Sequence, residues 1–195
     1  MPRKRREKSS TCVYHWIVRG MNKRSLFHGE DDYECFYDLL YEYKIEYAIQ
    51  IYHYCMMTNH IHLLLRTSEL KRLSGFSHYV QRRYAYYYSR AYKRTGSTFQ
   101  RGYRSFPINK DSYLLECGRY IERNPIRAKV VERPEDYPYT SYRFYAMGEK
   151  DKLLTFSPAF LALSDQREQR KQIYADYVCQ NRVQEEMMER GLLRV

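Results

Sequence analysis

Residues 58–65 read Thr-Asn-His-Ile-His-Leu-Leu-Leu, which places His60 and His62 two apart in an apolar run. On a β-strand alternate side chains leave the same face. Both imidazoles would therefore project together, with Ile61, Leu63 and Leu65 buried opposite. Two parallel imidazoles make a pair of metal ligands. Taken alone, the same spacing also describes two strand histidines hydrogen-bonded in a polar patch. The metal reading gains from the apolar alternate positions, from Asn59 beside the pair, and from a second segment, Tyr120-Ile121-Glu122-Arg123-Asn124-Pro125. Helical spacing sets Glu116, Tyr120 and Asn124 four residues apart on one face. That face would offer a carboxylate, a hydroxyl and an amide oxygen to one spot.

The chemistry these groups could perform is phosphoryl transfer. A phenol has a pKa of about 10, so little phenolate exists at neutral pH. A divalent cation on the scissile phosphate would neutralise charge in the transition state and polarise the P–O bond. His60, His62, the Asn124 amide oxygen, phosphate and water form a donor set suited to Mg²⁺ or Mn²⁺, the imidazoles favouring Mn²⁺ in vitro. Attack by Tyr120 would give a covalent phosphotyrosine and free a 3′ hydroxyl. Two structural alternatives stand beside this. Tyr120 could be a buried tyrosine bonded to Glu116, and Asn124 could serve as a helix cap, a role compatible with metal binding.

A net charge of +11 points to a polyanionic partner. Residues 1–24 hold eight Lys/Arg against one Glu, and residues 66–104 hold ten against Glu69 alone. Residues 30–46 run the other way, with seven acids against Lys44, so a basic and an acidic face are expected. The stretch Lys71 to Arg94 interleaves Arg82, Arg83, Arg90, Lys93 and Arg94 with Tyr79, Tyr84, Tyr86, Tyr87, Tyr88 and Tyr92. Cations for phosphates and rings for stacking suit single-stranded or hairpin nucleic acid; an amphipathic helix with its tyrosines inward has the same composition. The five cysteines are scattered with no CxxC pair, so neither a zinc knuckle nor a disulfide framework is indicated, and a reducing cytoplasm fits. No transmembrane helix or signal peptide is proposed.

The elements that must position these residues follow from periodicity. Thr11–Arg19, Ala48–Met57, His60–Thr67 and Tyr103–Asn109 read as strands. Thr58-Asn59 is a hairpin turn. Asp31–Tyr47 and Leu70–Thr95 read as helices, the second open to a break at Gly75. Asp111 is expected to cap a helix over Ser112–Arg123, and Asn124 a short helix with Pro125 at its first position. Residues 158–190 suggest two short helices. The order predicts an α+β fold, the ferredoxin-like split βαβ with a four-stranded antiparallel sheet and helices on one face. Its third strand is central, and the last helix over the sheet would bring Tyr120 toward His60 and His62. We divide the chain into a disordered basic arm (1–10), a catalytic domain (11–148) and a helical C-terminal extension (149–195). The tyrosine-rich composition, 23 in all, means hydroxyls inside the core that need partners. His15, His28, His53 and His78 have no partner at ligand spacing and are taken as structural, as is Cys117.

In four segments the chain resembles the single-tyrosine HUH transposases of IS200 type, and among them the REP-associated tyrosine transposases. They are Tyr14–Arg24 with Leu26-Phe27, Met57–Leu65, Phe99–Ser105 and Tyr113–Ala128; Glu135–Tyr142 extends the likeness. The resemblance covers roughly residues 11–145 in order. It implies a metal-dependent single-stranded DNA endonuclease and strand transferase acting beside short palindromic hairpins of REP type. Tyr120 would be the nucleophile, with His60 and His62 as metal ligands and Asn124 completing the site. Expected DNA contacts are Arg19, Asn22, Lys23, Arg24, Arg82, Arg83, Arg90, Arg101, Arg104 and Arg127, with Glu116 and Asn59 in support. The resemblance further implies single-stranded DNA with hairpins as partner, no membrane, a monomer or homodimer, and a bacterial cytoplasmic, nucleoid-associated setting. Two positions depart from the pattern. Glu122 stands where many members carry His, with an expected bearing on strand contacts, and Tyr139 where Trp is common. The rivals are a hairpin-binding protein without cleavage, and an RNA-binding ferredoxin-like module with stacking aromatics on an open sheet face.

Overall fold

Ten regular elements follow one another in the computed structural model, which describes residues 6–100 and 102–180. They are β1 (Val13–Arg19), α1 (Glu30–Glu46), β2 (Gln50–Met57), β3 (His60–Arg66), α2 (Leu70–Tyr92), β4 (Arg104–Ile108), α3 (Ser112–Glu122), α4 (Asn124–Arg127), α5 (Pro158–Leu161) and α6 (Arg167–Cys179). The sheet has four antiparallel strands in the order β2-β3-β1-β4. This is the expected split βαβ arrangement, with β1 and β3 in the middle.

Strand alternation divides the molecule into layers. Tyr14, Trp16 and Val18 of β1 and Ile61, Leu63 and Leu65 of β3 join α1 and α2 in one core, with Phe36, Phe76 and Tyr84 fully buried. Val13 and Leu64 face the other way, into a second core with Leu114, Cys117, Tyr120 and Ile121 of α3. Helices therefore cover both faces of the sheet, not one. The free edge of β2 is closed by the irregular stretch after α4: Met56 N–H donates to Tyr139 at 2.9 Å, and Thr155 N–H to Ile51 at 2.9 Å. An edge capped in this way offers no ladder to a foreign strand.

Buried hydroxyls do find acceptors. Tyr84 donates to Leu26 O at 2.5 Å, Tyr145 to Tyr52 O at 2.7 Å and Tyr137 to Met56 O at 2.9 Å. Helix α2 runs unbroken through Gly75, contrary to the expected break. A Cβ there would come within 2.2 Å of the Tyr47 ring, so glycine lets α2 approach the end of α1. Asp111 precedes α3 but is itself in a helical conformation, and its side chain makes no capping bond. Part of the expected disordered arm is docked: Arg6 lies 3.9 Å over the Tyr103 ring and Ser9 Oγ donates to Ile108 O at 2.7 Å. Residues 1–5 of that arm, Arg101, and residues 181–195, including the end of the expected helix to 190, lie outside the described residues.

Candidate active site

His60 and His62 leave β3 on the face covered by α3, as their spacing requires, with Arg19 and Ile17 of β1 opposite them. Both rings are held through Nδ1. The Asn59 amide donates to Lys23 O at 3.2 Å, which turns its Oδ1 to His60. His60 Nδ1–H donates to that oxygen at 2.6 Å, leaving Nε2 with its lone pair. His62 Nδ1 lies 2.8 Å from Nε2 of His15, a fully buried residue of β1. The His60 and His62 rings stand 4.9 Å apart. Burial lowers the His60 pKa to about 4, with Arg19 adding to the effect. Burial, then His15, His60 and the two arginines Arg19 and Arg127, hold His62 well below the usual imidazole range. Both rings are thus neutral at physiological pH, the state a metal ligand needs.

Tyr120 reaches this face because α3 has two packed sides. Leu114, Cys117, Tyr120 and Ile121 press on the sheet. Gly118 sits against the His53 ring, where a Cβ would lie 2.7 Å from it, so the helix can come close. The Tyr120 ring is buried and lies edge-on to His15 and His62, both at 6.0 Å between centroids. Arg127 of α4 stacks its guanidinium 4.7 Å from the Tyr120 centroid. Asn124 does not N-cap the short helix; its amide closes the last turn of α3 instead. It is the first residue of α4, and its Nδ2 donates to Tyr120 O at 2.9 Å and Ile121 O at 3.1 Å. That fixes the amide and leaves Oδ1 as its remaining polar group.

The opposite side of α3 is gripped by α6. Arg119 Nε donates to Tyr177 O at 2.9 Å and Nη2 to Gln180 O, while Arg123 Nη1 donates to Val178 O at 2.8 Å. Cations on the last carbonyls of a helix suit its negative end. Glu116 accepts from Tyr177 Oη on this side, and among the described residues no bond joins it to Tyr120. Glu122, fully buried, accepts from His53 Nδ1 at 2.9 Å, Ser141 Oγ at 2.6 Å and Tyr174 Oη at 2.7 Å. It lies inside the protein, with its carboxylate taken up by these three donors. The C-terminal helix is therefore a brace behind the tyrosine helix.

The basic residues fall into two groups. Arg19 and Arg127 flank the histidines, and Arg104 of β4 lies opposite Ile17 on the same face. The loop after β1 is tied to the hairpin turn, with Gly20 N–H donating to Asn59 O at 2.9 Å and Leu26 N–H to Thr58 O. Asn22 and Lys23 take left-handed conformations there (φ 52° and 60°), and both are exposed, as is Arg24. Arg82, Arg83 and Arg90 sit on α2, in the layer behind the sheet. The tyrosines of α2 mostly pack: Tyr84 and Tyr88 are buried, and Tyr87 and Tyr92 donate to the buried Asp32 at 2.9 and 2.7 Å. Tyr79 and Tyr86 are exposed, with Arg90 donating to the Tyr86 hydroxyl. The inward-tyrosine reading of this helix is largely the one observed. With α3 over the sheet, no open aromatic face for RNA exists among the described residues.

Sequence reasoning placed His15 among the structural histidines, yet it touches His62 and faces Tyr120. The signal was its parity: His15 and Arg19 share a face of β1, and β1 pairs with β3. Among the described residues no group of three or more His, Cys, Asp or Glu could hold a metal ion. A cation would rest on the two Nε2 atoms and on oxygens, those of Asn124, water and phosphate. This donor set fits Mg²⁺ or Mn²⁺, and the Asn59 bond to His60 sets the tautomer that such a ligand needs.

A family profile described as "Transposase IS200 like" matches residues 8–124. The solved structure of a REP-associated tyrosine transposase bound to a REP hairpin is similar in fold, with a TM-score of 0.63 and 17% identity over 80% of this chain and 93% of that one. A crystal structure of a candidate transposase from Deinococcus radiodurans R1 aligns with a TM-score of 0.44 and 16% identity, over 63% of this chain and 97% of that one. No curated protein matches the chain. No helix among the described residues is long and apolar enough to cross a membrane.

Proposed function

The chain belongs to the IS200-like transposase family, with DNA-transposition-type function, and from that membership we propose that it cleaves and rejoins single-stranded DNA beside hairpins through a phosphotyrosine at Tyr120. The observation that carries the reading is the convergence of three groups from separate elements. Tyr120 of α3 lies edge-on to His62, His60 stands beside it, and both histidines are hydrogen-bonded through Nδ1, with His60 donating to Asn59 so that its Nε2 keeps a lone pair.

His60 Nε2, His62 Nε2 and Asn124 Oδ1 would hold Mg²⁺ or Mn²⁺. When bound, the cation would neutralise the scissile phosphate and polarise its P–O bond. Tyr120 Oη attacks phosphorus and the bond to the 3′ oxygen breaks. The phenolic proton is lost to solvent and the departing oxygen gains one, leaving a 3′ hydroxyl and a 5′ phosphate on the tyrosine. The diester bond is conserved, so a second 3′ hydroxyl can reverse the step and join strands. Arg127 and Arg19 supply positive charge on either side of the phosphate path. Hairpin DNA as partner is supported by the fold shared with a transposase solved on such a hairpin.

The test is incubation of the full chain with end-labelled hairpin DNA and Mn²⁺ or Mg²⁺, followed by a denaturing protein gel. A labelled adduct that requires metal and disappears in Tyr120→Phe is expected. Hairpins that bind tightly yet give no adduct would instead establish a DNA-hairpin-binding protein without cleavage.

A further inference from the structure

His15 is fully buried, and its one hydrogen bond among the described residues runs from Nε2 to His62 Nδ1 at 2.8 Å. The two rings stack with centroids 5.0 Å apart and planes 22° off parallel. The contact is built by the sheet. His15 pairs with Leu64, two residues from His62 on the same face of β3, so the histidines are diagonal neighbours across two central strands. Tyr120 packs edge-on at 6.0 Å from both rings. Among the described residues His15 Nδ1 is buried with no hydrogen-bond partner, so no second bond fixes which of the two nitrogens carries the proton.

A neutral imidazole pair shares one proton across such a bond, and only two arrangements exist. If His15 Nε2 carries it, His62 is protonated at Nε2 and cannot ligate. If His62 Nδ1 carries it, His62 Nε2 presents a lone pair. Metal-bound histidines generally donate their second N–H to a carbonyl, carboxylate or water, which fixes tautomer and direction. Here, among the described residues, the partner of His62 Nδ1 is another imidazole.

We propose that His15 is a positioning residue for the proposed cation site: it accepts the His62 Nδ1–H and holds His62 Nε2 toward the metal. This rests on the metal-dependent reading above. An imidazole acceptor adds no negative charge, and neither do His60 and Asn124. The cation keeps its full charge for the phosphodiester, binds weakly without DNA, and gains affinity when DNA is present. By reciprocity it raises DNA affinity equally.

The experiment is Mn²⁺ titration of the full chain without DNA, followed by electron paramagnetic resonance, for the wild type, His15→Leu and His15→Gln. His15→Leu is expected to bind Mn²⁺ about 10–100-fold more weakly, the usual cost of losing such an outer partner. His15→Gln, whose Oε1 can accept from His62, recovers most of the loss. Hairpin affinity in EDTA stays unchanged in both. Equal Mn²⁺ affinity in wild type and His15→Leu overturns the proposal. Should His15→Leu fail to fold, ¹⁵N spectra of the Mg²⁺-loaded wild type decide: His62 is expected as the Nδ1–H tautomer, and an Nε2–H signal overturns it. A wild type that forms the metal-dependent adduct while His15→Leu behaves identically refutes this role alone. A wild type that binds no Mn²⁺, with or without hairpin DNA, refutes the metal-dependent reading too.

Discussion

Replacing Arg119 with methionine should loosen the tyrosine helix without touching the site. Methionine keeps the aliphatic stem in a position that is fully buried, so packing is largely retained. The guanidinium bonds to Tyr177 O and Gln180 O are lost from the last turn of α6. Hydrogen bonds to a charged group contribute about 1.5–3 kcal/mol each, so two give roughly 3–6 kcal/mol before correction. Removing a buried cation also recovers part of its desolvation penalty. The net expectation is a loss of about 2–4 kcal/mol. For a chain of this size that lowers Tm by about 2–4 °C per kcal/mol. Urea unfolding measures the loss, and amide exchange should show it concentrated in α6 and the outer face of α3. Adduct formation should slow, because Tyr120 is carried on the helix that α6 holds, while hairpin affinity stays constant. Arg119→Lys should fall between, since an ammonium cannot fork to two carbonyls. A methionine variant within about 1 kcal/mol of wild type, with unchanged exchange in α6, would refute the brace.

Two further outcomes follow from electrostatics. Burial holds His15 at about 3 and His60 at about 4, and His62 well below 6.5, so the folded protein resists protonation of all three. Their contribution to stability is present above the unfolded value of about 6.5 and is lost as pH falls, at up to about 1.4 kcal/mol per pH unit for each fully buried ring. Urea midpoints in EDTA should therefore drop from pH 7.5 to pH 5, whereas Mn²⁺-dependent adduct formation should keep its acid limb near pH 4–5; a limb at 6.5 would contradict the burial of these rings. The salt dependence of hairpin binding separates the two basic groups. Five contacts from Arg19, Lys23, Arg24, Arg104 and Arg127, at about 0.7 each for single strands, give a log–log slope of about −3.5. Adding Arg82, Arg83 and Arg90 on α2 steepens it to about −5.6, and that result would bring the helix behind the sheet into the interface.

The parts of this site that were legible in the sequence are those fixed by local periodicity. His60 and His62 share a face because a strand has period two, and Tyr120 and Asn124 are related by helical spacing whatever surrounds them. The order of elements then limited the topology to a few solutions, of which the split βαβ is the one observed. The tyrosines of α2 show where composition stops. Six rings among arginines can stack on bases or pack inward, and the decision came from Asp32, a buried carboxylate on the acidic helix α1 that takes the hydroxyls of Tyr87 and Tyr92. No spacing rule within α2 announces that partner.

His15 marks the sharper limit. Its role depends on two facts that are not local: that β1 is the neighbour of β3, and that their register sets residue 15 opposite residue 64. A slip of one residue would move His15 to the α1–α2 face and leave His62 Nδ1 without an acceptor. The same holds for Arg119 and Glu122. As sequence they are charged residues on an exposed-looking helix; in the fold α6 buries them, and burial turns each charge into a demand for specific partners. Arg119 finds its partners in helix-end carbonyls. Glu122 finds three donors: His53 of β2, Ser141 of the irregular stretch after α4, and Tyr174 of α6. The described residues beyond 149 thus bear on the placement of Tyr120. The face of α3 that carries Tyr120 is ordered only as far as the opposite face, at Arg119, Glu122 and Arg123, is satisfied.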